Sequence, residues 1–392
     1  MIPTPVHKRR TLAVLGSTGS IGVQTLDVAA RERERLEVIA LAAGRSLETL
    51  CAQVAQWRPR FVALESAVDP AAAHAALAAA APGARVDVGE GSAARIAAEC
   101  GAALVVNGIV GAAGLAASLA TLDRGARLAL ANKESMVIGG ELIRHALARA
   151  GGTLLPVDSE HSAALQCLLG RPAAEVARLT LTASGGPLRK HPDWRRATRA
   201  EVLAHPVWAM GARITTDSAT LFNKGLEIIE AHFLFGLPYE KLDAVIHPNA
   251  LVHAIATFQD GSLLAQVAKP DMRLPIQLAL SWPERWSESV APASALDLAG
   301  LLFEPIVAGR FPMYELALAA GRTAGTAPCV LNAADEIAVQ AFLDDAIALG
   351  ELPGVVERVL EQHAVQEVES FAQLREVDTW AREAARAAVV RA

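Results

Sequence analysis

From Thr11 to about Val157, short apolar runs alternate with Ala-rich stretches of helical spacing. The runs TLAVLG, LEVIALAAG, FVALE, ALVVNGIVG, ARLALANKE and GTLLPV each end near a turn or a charged residue. That alternation predicts an α/β chain whose first part, residues 1–157, forms a doubly wound parallel sheet. In such sheets ligands lie beyond the carboxyl ends of the strands, where the Gly, Asn, Lys and Glu residues of these runs fall.

The pattern then changes. RLTLTAS, a Pro/Trp-rich stretch over about 191–211, and Asp260-Gly261 between LVHAIATF and SLLAQV predict a strand, a covering segment and a hairpin. Residues 158–290 thus read as an α+β catalytic or connective domain. An Ala/Pro linker over 291–312 follows, and then a helical domain over 313–392. There Val339, Phe342, Leu343, Ala346 and Ile347 recur on one face and are expected in the core. The alternating charges from Arg31 to Arg35 read as a solvated helix end.

Composition narrows the class. With 392 residues and 52% hydrophobic positions, the chain exceeds one ordinary core and predicts two or three globular domains. A formal charge of −6 argues against nucleic-acid binding, so an anionic substrate must be met by local charge. Cys51, Cys100, Cys167 and Cys329 are widely spaced, which predicts neither a disulfide framework nor a zinc knuckle and fits a cytoplasmic location. The apolar run after His7-Lys8-Arg9-Arg10 reads as a first strand rather than a leader, and no run of about 18 apolar residues suggests a membrane span.

Several segments carry chemistry. Gly16-Ser17-Thr18-Gly19-Ser20-Ile21-Gly22 follows the first strand and opens a helix, a place for a pyrophosphate or simply a tight turn. The second strand ends in Gly44-Arg45-Ser46 without the acid that would bind a ribose 2′-hydroxyl, and that absence points to NADPH; Arg45 suits a 2′-phosphate or is simply a surface arginine. Asp158 and Glu160 lie past a strand end, as half of a hard-cation site or as helix-capping acids. Oxygen ligation favours Mg²⁺ or Mn²⁺, with His161 leaving zinc formally open. Thr215 to Glu227 reads as one helix on which Asn223, Lys224 and Glu227 share a side, as active groups or as a surface Lys–Glu pair. Gly225 within it costs roughly 1 kcal/mol against Ala, which predicts a close approach to the backbone. Ser184-Gly185-Gly186-Pro187 suits a phosphate or a bare turn. His205, Trp208, Met210 and Gly211 have the makings of a lid, or are ordinary core or surface positions.

Taken in order, GSTGSIG, ANKES, DSEHSA, ASGGP, HPVWAMG and DSATLFNKGLE resemble the 1-deoxy-D-xylulose 5-phosphate reductoisomerase family. The likeness continues through IHPNALVHAIATFQDGSLLAQ, PDMRLPIQLAL and LNAADEIAVQAFL. It implies a Rossmann-like N-terminal domain and NADPH contacts at Thr18, Gly19, Ser20, Ile21, Gly44, Arg45, Ser46, Asn132, Glu134 and Gly211. It implies a divalent cation, Mn²⁺ or Mg²⁺ with Co²⁺ as a further candidate, on Asp158, Glu160 and Glu227. Substrate contacts are implied at Lys133, Ser159, Glu160, Ser184, His205, Ser218, Asn223, Lys224 and Glu227, with Lys133, Glu160, His205 and Glu227 catalytic and Trp208 and Met210 on a mobile lid. The expected partners are a small phosphosugar and a second copy of the chain. The expected reaction is the NADPH-dependent conversion of 1-deoxy-D-xylulose 5-phosphate to 2-C-methyl-D-erythritol 4-phosphate. Arg45, Ser46, Ala183 and Asp335 depart from the commonest residues at their positions. Two competing readings are a metal-dependent phosphosugar isomerase or aldolase without redox chemistry, and an NADP(H)-sensing module.

Overall fold

The computed structural model describes residues 9–208, 210–287 and 290–390. Residues 1–8, Ala209, Glu288, Ser289 and residues 391–392, which bound or interrupt the expected segments, lie outside the described residues. They include His7 and Lys8 of the expected first-strand flank.

The apolar runs become strands in sequence order: β1 (Arg10–Leu15), α1 (Ser20–Arg31), β2 (Leu36–Ala43), α2 (Leu47–Trp57), β3 (Phe61–Leu64), α3 (Pro70–Ala80), β4 (Arg85–Val88), α4 (Ser92–Glu99), β5 (Leu104–Asn107), α5 (Gly114–Asp123), β6 (Arg127–Leu130), α6 (Lys133–Ala150) and β7 (Thr153–Pro156). They form a parallel seven-stranded sheet ordered β4-β3-β2-β1-β5-β6-β7. The chain works outward from β1 to β4 and returns to β5 on the other side of β1. That reversal makes a crevice at the carboxyl ends of β1 and β5. β4 was not expected: Arg-Val-Asp-Val is polar and only partly buried because it forms the sheet's edge.

The chain continues through α7 (Ser159–Leu168), β8 (Val176–Ala183), α8 (Arg199–Leu203), α9 (Ala212–Ala219), α10 (Phe222–Phe235), β9 (Leu242–Ile246), β10 (Val252–Phe258), β11 (Leu263–Val267), α11 (Arg273–Ser281), β12 (Glu304–Pro305), α12 (Pro312–Thr323), α13 (Ala327–Leu343), α14 (Leu352–Gln362) and α15 (Phe371–Val389). A mixed sheet runs β11-β10-β8-β9-β12. The β10–β11 hairpin turns at Gly261, whose φ of +86° is the left-handed conformation expected of Asp-Gly. The sheet packs on a core that includes Leu179, Leu181, Ile228, Ile246, Phe311 and Tyr314.

The chain folds into two compact units. One comprises Met1–Asn132, Ile143–Asp158 and Met272–Val290; the other comprises Lys133–Leu142, Ser159–Asp271 and Ala291–Ala392. Three stretches therefore belong elsewhere than chain order implies. α6 changes units just after Gly139, where its backbone leaves helical geometry at φ −127°, ψ 27°. Residues 272–290, with α11, return to the first unit. The stretch 291–312, expected as a linker, lies in the second unit and supplies β12 to its sheet. In the C-terminal region Val339, Phe342, Leu343 and Ile347 are buried, but Ala346 is exposed, because α13 has ended at Leu343 and the helical periodicity no longer applies.

Candidate active site

In the first unit, the loop after β1 sits at the sheet's reversal point. Gly16 has φ +79°, and a Cβ there would lie 2.6 Å from the Gly108 carbonyl oxygen, so neither its conformation nor its space admits a side chain. A Cβ on Gly22 would strike the backbone of Gly16 and Ser17, which lets α1 start close against the loop with Gly19 as its N-cap. Amide donors of Ser20 and Ile21 open α1, where a phosphate is favoured. The loop is braced from beneath: Ser17 Oγ donates to Gln53 Oε1 at 2.7 Å, and Gln53 Nε2 donates to Ser17 O at 2.8 Å. Gly44, Arg45 and Ser46 are exposed beyond β2. Asn132, after β6, is buried and donates to Gly111 O at 2.9 Å.

In the second unit, the acids and amines converge. α10 presents Asn223, Lys224 and Glu227 on one side, and Phe222, fully buried, anchors its first turn. Replacing such a Phe by Ala costs about 3–5 kcal/mol. Asn223 Nδ2 donates to Glu227 Oε1 at 2.5 Å, and Lys133 Nζ donates to the same oxygen at 2.7 Å and to Asn223 Oδ1 at 2.9 Å. Lys224 Nζ pairs with Glu227 Oε2 and lies 3.1 Å from Glu160 Oε1 on α7. Ser159 Oγ donates to Glu160 Oε2 at 2.6 Å. Lys133, Lys224 and Glu227 are all buried, so these pairs act with little solvent screening. His161, next to Glu160, contacts the Glu227 carbonyl oxygen through Nε2 at 2.9 Å and lies 3.4 Å from Glu230 Oε2 through Nδ1. Asp158, the last residue of the first unit before the chain crosses, is joined by a peptide bond to Ser159.

The close approach expected at Gly225 comes from protein: a Cβ there would collide with Ala317 of α12. The glycine thus serves helix packing. The single helix expected over Thr215–Glu227 is two helices. Leu221 takes φ +56° between α9 and α10, while Thr215, Thr216 and Thr220 hydroxyls donate back to carbonyls a turn earlier. Such back-bonding competes with helix continuation. The corner sets Ser218 at the end of one helix and Asn223 at the start of the next.

Ser184 follows β8, and Gly185 and Gly186 continue with φ of +83° and +66°. A Cβ on Gly186 would lie 2.5 Å from Ser218 O, so the turn rests directly on the end of α9. His205 Nδ1 accepts from the amides of Val207 at 3.1 Å and Trp208 at 2.9 Å. The ring proton is then on Nε2, which donates to Ser184 Oγ at 3.1 Å. Burial lowers the His205 pKa and favours this neutral form. Ser184 Oγ also accepts from Gly186 N at 3.2 Å.

The predicted residues therefore form three groups. Thr18, Gly19, Ser20, Ile21, Gly44, Arg45, Ser46 and Asn132 belong to the first unit; Glu134 and Gly211 belong to the second. Lys133, Ser159, Glu160, Asn223, Lys224 and Glu227 meet around one buried carboxylate, and Ser184, His205 and the Ser218 end of α9 meet around one turn. Trp208 and Met210 follow His205 and are partly buried. Sequence reasoning missed Gln53, whose isolated amide gave no signal, and Arg213, whose partners are up to 123 residues away.

Family models match three parts of the chain. Residues 12–140 fit "1-deoxy-D-xylulose 5-phosphate reductoisomerase", and residues 154–235 fit the C-terminal domain of that name. Residues 267–384 fit "DXP reductoisomerase C-terminal domain". Relatives bearing the enzyme's name include one from Chlorobium chlorochromatii, 44% identical over 96% of this chain and 99% of its own. Another, from Anaeromyxobacter dehalogenans, is 48% identical over 93% of each. The chain belongs to the 1-deoxy-D-xylulose 5-phosphate reductoisomerase family. Among solved members, the Zymomonas mobilis reductoisomerase in complex with NADPH superposes with a TM-score of 0.90, at 37% identity and over 97% of this chain and 99% of that one. A reductoisomerase in complex with NADPH, fosmidomycin and magnesium gives a TM-score of 0.91 at 35% identity, over 97% of this chain and 98% of that one. The reductoisomerase fold thus spans both units.

Proposed function

We infer that the chain is an NADPH- and divalent-cation-dependent oxidoreductase that isomerises and reduces 1-deoxy-D-xylulose 5-phosphate to 2-C-methyl-D-erythritol 4-phosphate. This is an early step of the non-mevalonate (MEP) route to isoprenoid precursors. The observation that carries the reading is the buried group in which Glu160 and Glu227 share the Lys224 ammonium, with Lys133 on the other Glu227 oxygen.

The donor set fits a hard cation. Asp158, Glu160 and Glu227 offer oxygen only, and two of them already hold a positive group between them. Three carboxylates against two ammonium groups leave this group of five net negative, which a divalent ion reverses in favour of a phosphorylated ketose. When bound, the cation supplies charge stabilisation for developing oxyanions and NADPH supplies hydride.

The protein's own groups orient the substrate. Lys133, fixed by Asn223 and Glu227, presents positive charge to substrate oxygens. Glu160 is the proposed proton-transfer group. The Ser184 hydroxyl, Ser218, Asn223 and Lys224 receive the phosphate, whose binding energy helps close the segment over 191–211. His205 ties that segment to the phosphate turn. Its root is held by Arg310, whose Nη2 donates to the carbonyls of Leu188, Arg189 and His191 at 3.3, 2.9 and 3.2 Å.

The cofactor lies on the loop after β1, with Arg45 meeting the 2′-phosphate; Thr18, Gly19, Ser20, Ile21, Gly44, Ser46, Asn132, Glu134 and Gly211 complete its contacts. A homodimer is supported by apolar exposure in the second unit: Leu263 and Leu264 on edge strand β11, and Leu296, Leu302 and Phe303. No described helix is long and apolar enough to cross a membrane. The four free cysteines support a cytoplasmic location.

The test follows NADPH absorbance with 1-deoxy-D-xylulose 5-phosphate, with Mn²⁺ or with EDTA. Oxidation of NADPH that requires both the substrate and the metal is expected. Substrate loss without NADPH oxidation, or turnover undiminished by EDTA, contradicts the reading.

A further inference from the structure

Arg213 stands in the first turn of α9, two residues beyond Gly211, and its guanidinium is ringed by groups from three helices of the second unit. Nη1 lies 2.8 Å from Glu336 Oε1 and 3.4 Å from Glu134 Oε1. Nη2 donates to Asn332 Oδ1 at 3.0 Å and lies 3.6 Å from Asp335 Oδ2, while Nε is 3.7 Å from Asp217 Oδ2. Glu336 is held in turn by Arg382 at 2.6 Å, which Asp378 braces within α15.

Two guanidinium groups thus face five carboxyls, those of Glu134, Asp217, Asp335, Glu336 and Asp378. Burial raises the pKa of both Asp217 and Asp335, against the opposite pull of the Arg213 charge, which lessens the tendency of either to ionise. A buried ion network of this kind is a weak source of stability, because desolvation offsets most of the attraction. Its planar fork is instead a precise spacer. What it spaces is informative: Glu134, directly after Lys133 at the start of α6, and Gly211, the N-cap of α9, whose carbonyl accepts from both the amide and the hydroxyl of Thr215 at 3.0 and 2.9 Å. These are the two residues of the second unit counted among the cofactor contacts.

We propose that Arg213 is a positioning residue for NADPH, holding the Glu134 turn and the Gly211 turn at a fixed separation, with α13 and α15 as the rigid reference. The proposal rests on the cofactor reading above. It assigns Arg213 no contact with substrate or reacting atoms.

The experiment measures NADPH dissociation constants by fluorescence titration, together with both KM values, for the full-length enzyme and its Arg213→Gln, Arg213→Lys and Glu336→Gln variants. Losing one charge-assisted contact set predicts an NADPH Kd raised about tenfold in Arg213→Gln, with the KM for the phosphosugar changed less than about threefold. Arg213→Lys recovers part of the loss, and Glu336→Gln shows a smaller shift in the same direction. If Arg213→Gln does not fold, the other two variants decide. A wild-type NADPH Kd in the folded variants, or parallel rises in both KM values, overturns the proposal. Failure of the wild-type enzyme to bind NADPH would instead remove the cofactor reading on which it rests.

Discussion

His205 shows how much one side chain settles. Its Nδ1 is occupied by two amides of the segment over 191–211 and its Nε2 by the Ser184 turn, so it works as a neutral connector between them. Its pKa is lowered by burial. The neutral form, and the connection, are therefore complete above the ordinary value of 6.5 and are lost as pH falls through the lower folded value. Affinity for the phosphosugar should accordingly weaken on the acid side, measured as KM against pH, and His205→Gln should flatten that limb while raising KM throughout. An unchanged acid limb in the variant would separate His205 from the effect. At this scale part was legible: the Asn223/Lys224/Glu227 spacing already implied one shared side. Arg213 was not, because a lone arginine acquires meaning only when folding brings Glu134, Asn332, Asp335 and Glu336 to it.

Among the elements, strands with strong apolar runs were read directly, whereas polar β4 was invisible to the same pattern. The Thr215–Glu227 stretch misled in an instructive way. Its spacing is helical throughout, but the left-handed Leu221 is imposed by packing and carries no residue signal such as Gly or Asn. The corner it makes receives the Gly185-Gly186 turn. Gly186→Ala would place a methyl 2.5 Å from Ser218 O at φ +66°, so it should lift the turn from α9. Besides a strain of about 1–2 kcal/mol, the variant should raise the phosphosugar KM about tenfold and leave the NADPH Kd unaltered. Equal KM values would show that the turn does not bear on the phosphate.

For the whole molecule, the doubly wound sheet, strand β8 and the β10–β11 hairpin follow from the order of apolar runs, but the mixed second sheet and the assignment of 133–142 and 272–290 to units do not. Both transfers depend on packing between residues far apart in the chain, and local periodicity is silent about that. Oligomeric state is likewise a property of surface. Leu264, 43% exposed on edge strand β11, is a sensitive place to test a second copy. Leu264→Lys should lower the dimer fraction in sedimentation analysis while keeping the helical content. A wild-type monomer would contradict the homodimer, and a variant dimer as tight as wild type would move the interface elsewhere.

The central claim is that Glu227 serves cation and substrate together, and Glu227→Gln tests it most directly because the amide keeps the side chain's size but removes its charge. With folding checked by circular dichroism and NADPH binding by fluorescence, the variant should lose about a thousandfold or more in NADPH oxidation, corresponding to the several kcal/mol that a held cation supplies. Turnover within a few-fold of wild type in a folded, NADPH-binding variant would contradict the account.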